Sequence, residues 1–276
     1  MYQKLLHTIR SYQASKICIA FSGGVDSTLV LKACLDAGAD VYPVLFQTVL
    51  HPKAELGEAQ KIADELGVQL QVMEIDEFQY PEILENTPER CYHCKKALFT
   101  MLREYALRNS CEVIVDGTNL DDLSEYRPGL KALGELKIHS PAAESGLTKK
   151  DVRALCAEFG LEVSKKPSSP CLATRLPYYT LITKEALKMI EEGEKTLKLL
   201  GFTQVRVRKH GDIARIEVLG AEMEKAFQQY RLIAEKLKEI GFGYVTLDLE
   251  CFRSGSMDLY INKENESWMS INCSTE

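Results

Sequence analysis

The chain has 276 residues, enough for one large domain or two modest ones. Its net charge of −6 disfavours a general nucleic-acid binder, and no apolar run approaches the roughly 18 residues that a membrane span needs. Nine cysteines without a secretory leader pattern indicate a reducing, cytoplasmic setting, in which thiols serve as core residues, metal ligands or reactive groups.

From its start to about residue 165, the chain alternates between strand and helix patterns. Strands are predicted from apolar or alternating runs at residues 17–21, 41–50, 68–75 and 112–115. Helices are predicted from apolar spacing and terminal signals at residues 27–36, 53–66, 95–108 and 148–160. This alternation predicts an α/β fold with a doubly wound, mostly parallel sheet, whose ligand lies at the carboxyl ends of the strands.

The pattern changes after the proline-flanked segment 167–170. The later elements are predicted as a helix, a two-armed β-hairpin, a long helix and a strand, at residues 184–200, 203–208 with 213–218, 222–240 and 244–249. We therefore expect two domains, residues 1–170 and a smaller α+β domain of residues 171–276. The tail beyond Asp258 is polar and is expected to be poorly ordered.

One loop carries the clearest functional signal. Ser22-Gly23-Gly24-Val25-Asp26-Ser27 follows the first predicted strand and leads into a helix. Glycines let backbone N–H groups converge, and a helix N-terminus adds positive potential. The expected ligand of this loop is therefore a phosphate group. The loop lacks both the Gly-Lys-Ser/Thr ending of a Walker A motif and the Gly-x-Gly-x-x-Gly of a dinucleotide site. The alternative is a serine–glycine turn that only caps the helix.

Three cysteines stand apart from the others. Cys91 and Cys94 form a C-x-x-C pair, and Cys171 lies in a proline-rich loop. Such a pair can bind zinc, act as a redox dithiol or supply two ligands of an iron–sulfur cluster, and the alternative is an incidental structural role. Three thiolates would leave one iron of a 4Fe–4S cluster open. The thiols expected in the core are Cys18, Cys34, Cys111 and Cys156, and no partner is identified for Cys251 or Cys273.

The predicted hairpin carries clustered charges. Arg206 and Arg208 share one face of the first arm, and Arg215 and Glu217 share a face of the second. Arginine forks match phosphate and carboxylate geometry, which favours an anion site. A solvated strand face with an ion pair is the alternative.

These residues, taken together, resemble the LarE family of ATP-dependent sulfur transferases, which act in nickel-pincer nucleotide cofactor assembly for lactate racemase maturation. The loop resembles the PP-loop of the N-type ATP pyrophosphatases, a wider superfamily. The matching segments span nearly the whole chain and are residues 20–32, 125–132, 151–155, 205–208, 212–217, 244–249 and 252–257.

The resemblance implies a role for each matching residue. The pyrophosphate of ATP would be held by Ser22, Gly23, Gly24, Ser27 and Thr28. Asp26 would help to hold Mg²⁺. Substrate would be bound by Arg206 and Arg208 through its phosphate, with Arg175 near the active centre. Glu194 and Glu217 would take part in metal binding, while a third expected acid falls near Glu224 or Lys225 and is left unassigned. The second domain would bind substrate phosphate and mediate oligomerisation.

The family's chemistry is also implied by the resemblance. Its members adenylate a carboxylate of pyridinium-3,5-biscarboxylic acid mononucleotide with MgATP, and sulfur then displaces AMP to give a thiocarboxylate. One branch sacrifices the sulfur of a cysteine that aligns with Cys171. Another carries a 4Fe–4S cluster that relays sulfide, and Cys91, Cys94 and Cys171 match its three catalytic ligands. The implied partners are a small nucleotide and sulfide or a sulfur-carrier protein, in a homohexamer built as a dimer of trimers, without nucleic acid or membrane.

Three other functions stay open at this point. A PP-loop tRNA thiolase can also use three cysteines and a cluster, although the acidic net charge is against it. An ATP-dependent amide-forming synthetase would leave the cysteines incidental. A zinc-stabilised nucleotide sensor would have no turnover at all.

Overall fold

The structure, a computed structural model, describes residues 1–51, 54–124, 127–166, 170–253 and 255–257. The chain divides into two compact units, Met1–Ser169 and Pro170–Glu276. Part of the matching segment 125–132, the segment 167–169 and the tail with Trp268 and Cys273 lie outside the described residues. Within the described ranges, no helix combines the length and apolar character that crossing a membrane requires.

The first unit alternates strands with helices. Its strands are β1 (Lys16–Ala20), β2 (Asp40–Thr48), β3 (Gln71–Ile75) and β4 (Val113–Val115). The helices that precede β4 are α1 (Tyr2–Ser11), α2 (Val25–Asp36), α3 (Ala54–Glu65), α4 (Pro81–Leu84) and α5 (Arg90–Arg108). Those that follow it are α6 (Leu120–Ser124), α7 (Gly129–Glu135), α8 (Pro141–Glu144) and α9 (Lys149–Glu158).

The four strands form a parallel sheet in the order β3-β2-β1-β4. His139 extends the sheet beyond β4 through one parallel bridge to Val115. Because β1 is central, its side chains are buried on both faces: Ile17 and Ile19 pack with α1, α2 and α9, and Cys18 packs with α5 and α7. The predicted doubly wound α/β fold is therefore confirmed.

The second unit is a small α+β body. Its elements are α10 (Lys184–Leu199), β5 (Val205–His210), β6 (Ile213–Val218), α11 (Met223–Gln228), α12 (Tyr230–Ile240) and β7 (Tyr244–Leu247). β5 and β6 form the predicted hairpin, and β7 adds in parallel to β6. Val207 and Ile216 face a core shared with Leu197 and Leu237 of the helices. The opposite face of the hairpin carries its three arginines and Glu217.

Several element bounds differ from those predicted. α5 begins at Arg90 rather than at residue 95, because its first turn is polar and offers no apolar spacing to recognise. The predicted helix at 222–240 is two helices, broken at Gln229, whose backbone (φ −99°, ψ 12°) leaves helical geometry. α1 was not predicted, although its buried Leu5, Leu6 and Ile9 follow helical spacing.

Candidate active site

The glycine-containing loop joins β1 to α2 and organises itself through its serines. Ser22 Oγ accepts the N–H of Gly24 at 3.3 Å and lies 3.2 Å from Ser27 Oγ. Ser27 Oγ in turn donates to the carbonyl of Gly24 at 3.2 Å. Gly24 is the N-cap of α2 and uses no side-chain cap, so the first N–H groups of the helix can receive an anion.

Two glycines permit close backbone approach around this loop. Gly23 has φ +64°, and a Cβ there would lie 2.9 Å from both Cα and Cβ of Ala59. A Cβ on Gly117, in the segment after β4, would lie 2.8 Å from the backbone nitrogen of Ser27. The loop is thus packed against α3 on one side and against the segment after β4 on the other. Gly117 follows the fourth strand at the carboxyl edge of the sheet, where ligand is expected, but it is not among the site residues predicted from the sequence.

Asp26 lies in the first turn of α2 with a partly exposed carboxylate, 21% accessible. Its Oδ1 accepts from the Asn119 side chain at 3.1 Å, and its Oδ2 pairs with the ammonium of Lys149. Mg²⁺ prefers hard oxygen ligands such as carboxylates. The Asp26 carboxylate lies at the opening of the anion-binding loop and already pairs with a cation, so it fits the predicted Mg²⁺ ligand. The sequence prediction did not include Lys149. A lysine in the first turn of α9 is unfavourable for the helix dipole, and this unfavourable position could have indicated a functional role.

Thr28 and Ser27 are both buried, whereas Ser22 is exposed. The Thr28 hydroxyl has no hydrogen-bond partner among the described residues. Thr28 lines a cleft of about 310 Å³ with α3 and the segment after α9, where Lys166 reaches the Gly23 carbonyl at 3.3 Å. The predicted role of Thr28 in holding pyrophosphate stays a prediction.

Cys91 and Cys94 both lie at the start of α5, one helical turn apart. Cys91 is exposed and accepts from Arg90 Nη2 at 3.7 Å, while Cys94 is half-buried. The neighbouring Lys95 Nζ lies 3.8 Å from Asp116 Oδ2 in the segment after β4. These two thiols fit a pair of soft ligands for a cluster.

Cys171 belongs to the second unit and is half-buried. Among the described residues, no group of three or more His, Cys, Asp or Glu side chains is placed to hold a metal ion. The three-thiolate set of Cys91, Cys94 and Cys171 therefore stays a prediction.

The hairpin of the second unit places three arginines and Glu217 on one face. In its register, Arg206 is opposite Glu217 and Arg208 is opposite Arg215. Arg206, Arg208 and Glu217 are buried, so this is not a solvated strand face. Arg208 Nη2 donates to Glu217 Oε2 at 2.8 Å, and Arg215 Nη2 donates to Glu217 Oε1 at 3.1 Å.

The electrostatics of this face favour an anion. Burial lowers the pKa of Arg206 to about 10, and the positive charges of Arg175 and Arg208 add to the effect. The Nε atoms of Arg208 and Arg215 are buried without hydrogen-bond partners among the described residues. His210 follows Arg208 on the same face, and its pKa is lowered by burial and then by Arg215 and Arg208. Buried donors and excess positive charge are stabilised by a phosphate or carboxylate.

Arg175 and Glu194 form a second buried pair in this unit. Arg175 Nε donates to Glu194 Oε1 at 2.8 Å, and its Nη2 donates to Glu194 Oε2 at 3.1 Å. Both oxygens of Glu217 also accept, since Ser256 Oγ donates to Oε1 at 2.6 Å beside the two arginines. Arginine thus pairs with both oxygens of each carboxylate, and the metal-binding roles that the resemblance implies for Glu194 and Glu217 stay predictions.

Comparisons with known proteins agree with this geometry. Residues 1–196 match the NAD synthase family model. A pyridinium-3,5-bisthiocarboxylic acid mononucleotide synthase of Lactiplantibacillus plantarum is 40% identical over 250 residues, which are 90% of this chain and 91% of that protein. An uncharacterised protein of Synechocystis is 35% identical over 95% of this chain and 100% of its own length. The tRNA-specific 2-thiouridylase MnmA of Rickettsia bellii is 27% identical over 68% of this chain and 62% of its own length. The chain therefore belongs to the LarE family, with a first unit of the NAD synthase type, and is an ATP-using sulfur transferase.

Proposed function

We propose that this protein adenylates a carboxylate of pyridinium-3,5-biscarboxylic acid mononucleotide and then replaces AMP with sulfur. The observation that carries the proposal is the anion-binding loop with Asp26, found on a chain 40% identical to a synthase of the bisthiocarboxylic product. A carboxylate is a poor electrophile because it is anionic and has a bad leaving group. Transfer of AMP to it neutralises the charge and installs a leaving group.

The activation step is assigned to the loop of the first unit. A substrate carboxylate oxygen attacks the α-phosphorus of ATP, and the bond to the bridging oxygen of pyrophosphate breaks. Backbone N–H groups at the start of α2 stabilise the departing pyrophosphate, with Ser22, Gly23, Gly24, Ser27 and Thr28 around it. Mg²⁺, held by Asp26, would neutralise charge on the phosphates.

The second step is assigned to the cysteines and the arginine face. A sulfide sulfur forms a bond to the activated carbonyl carbon, and the carbon–oxygen bond to AMP breaks, with AMP leaving as the anion. Arg206 and Arg208 bind the phosphate of the substrate, which is supported by their burial and excess positive charge. When bound to Cys91, Cys94 and Cys171, a 4Fe–4S cluster would supply an open iron for exchangeable sulfide.

The activation step is tested with Asp26→Ala. Anaerobic wild-type protein is expected to release pyrophosphate from MgATP when the biscarboxylic nucleotide is present, and Asp26→Ala is expected to abolish this release. Asp36→Ala is the matched control, because Asp36 ends the same helix and pairs with Lys32 and Tyr2, away from the loop. Unchanged release by Asp26→Ala would contradict the Mg²⁺ assignment.

The source of sulfur is tested on the same protein. The cluster proposal expects iron, sulfide and a visible absorption band in anaerobic preparations, and an intact Cys171 after one turnover by mass spectrometry. Dehydroalanine at Cys171 would instead show that its own sulfur is sacrificed. A colourless protein with one zinc would overturn the cluster proposal.

The assembly and setting are proposed from the family resemblance. We infer a cytoplasmic homohexamer, a dimer of trimers, supplied by sulfide or by a sulfur-carrier protein. Light scattering in solution measures the oligomer mass directly.

A tRNA thiolase is the second candidate, favoured by the similarity to MnmA of Rickettsia bellii. The net charge of −6 is against it, since RNA binding relies on positive surface charge. Offering the biscarboxylic nucleotide and bulk tRNA in parallel, with sulfide and MgATP, separates the two by which substrate gains sulfur.

A further inference from the structure

Arg175 holds the backbone of the segment that carries Cys171. Its Nη1 donates to the carbonyls of Pro170 and Cys171, at 2.7 and 3.1 Å, and to Thr174 Oγ1 at 2.9 Å. Thr174 closes the turn, since its N–H and its hydroxyl both donate to the Cys171 carbonyl, at 3.1 and 2.8 Å. The Arg175 side chain is 1% exposed, so these bonds are shielded from water.

Glu194 orients the guanidinium of Arg175 through the bidentate ion pair described above. Glu194 Oε1 also accepts the N–H of Val207 at 3.2 Å, and Val207 lies on β5, the edge strand of its sheet. Because Glu194 is anchored to a strand, it gives the arginine fork one orientation rather than several.

A second arginine holds the same turn from the hairpin. Arg208 Nη1 donates to the Thr174 carbonyl at 2.9 Å, while its Nη2 is paired with Glu217. The turn from Cys171 to Arg175 is therefore tied to rigid elements through side chains on both α10 and β5.

We propose that Arg175 and Glu194 are a positioning pair for Cys171 rather than ligands of substrate or metal. All three nitrogens of Arg175 and both oxygens of Glu194 are engaged inside the second unit. The pair fixes the backbone of the cysteine that the proposed function uses for sulfur transfer, and it leaves the ATP-dependent activation to the first unit. This inference rests on that proposed function.

The test compares Glu194→Gln with Glu192→Gln, which makes the same change on the same helix at an exposed position. Glu194→Gln is expected to keep pyrophosphate release near the wild-type rate and to slow thiocarboxylate formation by about a hundredfold, the effect of a misplaced reacting group. Glu192→Gln is expected to leave both unchanged. Wild-type sulfur transfer by folded Glu194→Gln, or equal loss of both steps, would overturn the proposal.

Two further measurements separate positioning from other roles. Manganese binding, followed by electron paramagnetic resonance, is expected to be equal in wild type and Glu194→Gln, and loss of a bound ion in the variant would overturn the proposal. The alkylation rate of Cys171, measured relative to Cys251 in the same molecule, is expected to change in Glu194→Gln but not in Glu192→Gln. This ratio reads the position of Cys171 even if the wild-type protein proves inactive on the nucleotide.

Glu194→Gln leaves the Arg175 charge buried without its counter-charge, which destabilises the fold. A second variant therefore tests the proposal without an unpaired buried charge. The double variant Arg175→Gln with Glu194→Gln removes both charges and keeps polar side chains of similar length. It is expected to fold, judged by its thermal melt, and to show the same split between the two steps. Full sulfur transfer by the folded double variant would contradict the proposal.

Discussion

Gly117 illustrates how single residues fit the loops of the first unit together. A Cβ at this position would meet the backbone nitrogen of Ser27 at 2.8 Å and its Cα at 3.1 Å. Real Cβ atoms do not come that close to backbone, so a side chain here has to push the anion-binding loop away. The absence of a side chain at Gly117 is thus part of the site.

We predict that Gly117→Ala weakens MgATP binding at least about tenfold, or about 1.4 kcal/mol, because the loop N–H groups lose their alignment. Gly134→Ala is the control, since Gly134 lies in α7 and a Cβ there meets no atom within 4 Å. That change is expected to stabilise the protein by up to about 1 kcal/mol through lower unfolded-state entropy. Calorimetric titration measures the first effect and urea unfolding the second; equal ATP affinity in both variants would refute the prediction.

The residues of the site were predictable only where they are adjacent in sequence. The loop from Ser22 to Ser27 could be recognised because its glycines, serines and acid form one local pattern. Asn119 and Lys149 come from 93 and 123 residues away, and nothing local pairs them with Asp26. Likewise, the hairpin pattern placed Arg206 and Arg208 on one face, but only the folded unit shows that this face is buried.

At the scale of elements, α9 connects a local capping signal to the site. Its N-cap Thr148 accepts the N–H of Asp151 at 3.2 Å, and Asp151 Oδ2 accepts the N–H of Thr148 at 3.0 Å, so the two residues form a reciprocal capping box. The next residue is Lys149, the partner of Asp26. The cap therefore also fixes a cation at the anion-binding loop.

We predict that Thr148→Ala lowers the free energy of unfolding by about 1 kcal/mol, the usual cost of losing an N-cap hydroxyl. Thr100→Ala is the control, because Thr100 is exposed in α5 and its hydroxyl bonds back to the Lys96 carbonyl of its own helix. Its effect is expected to stay within about 0.5 kcal/mol. Urea denaturation of both variants measures the difference, and equal midpoints would show that the box does not hold α9.

Element prediction succeeded where apolar periodicity and terminal signals agree. β1 is apolar from Ile17 to Ala20, and Gly201 and Gly241 follow α10 and α12 with positive φ, which is typical of helix ends. The start of α5 was missed because its first turn, with Cys91 and Cys94, has no apolar face. The same polar turn exposes Cys91. The part of α5 that the sequence predicts least well is therefore the part that carries candidate functional residues.

At the scale of the whole molecule, each unit has its own core, and the buried thiols report on only one of them. Cys18, Cys34, Cys111 and Cys156 are buried in the two layers that flank the parallel sheet. The core of the second unit is formed by Val207, Ile216, Leu237 and their neighbours, with no cysteine among its described residues. Exposure of these buried thiols is therefore a specific probe of unfolding of the first unit.

Folded protein from which any cluster has been removed is expected to resist alkylation at these four buried cysteines at pH 8, while exposed Cys91 reacts within minutes. Burial raises the pKa of Cys34 and Cys156 to about 12 and raises the pKa of Cys18 and Cys111 as well, so the native state holds them as unreactive thiols. A thiol whose pKa is raised by folding contributes stability below the unfolded value of about 8.5, and this contribution is lost as the pH rises above it. The four sites are thus expected to become reactive together along a urea titration, at a midpoint that falls between pH 8 and pH 10. Mass spectrometry of each cysteine-containing peptide measures the alkylated fraction at each urea concentration. Cys91→Ser is the control, because it removes only the fast reaction. Alkylation of any one of the four in the absence of urea, ahead of the others, would show that the first unit opens locally instead of unfolding as one cooperative body.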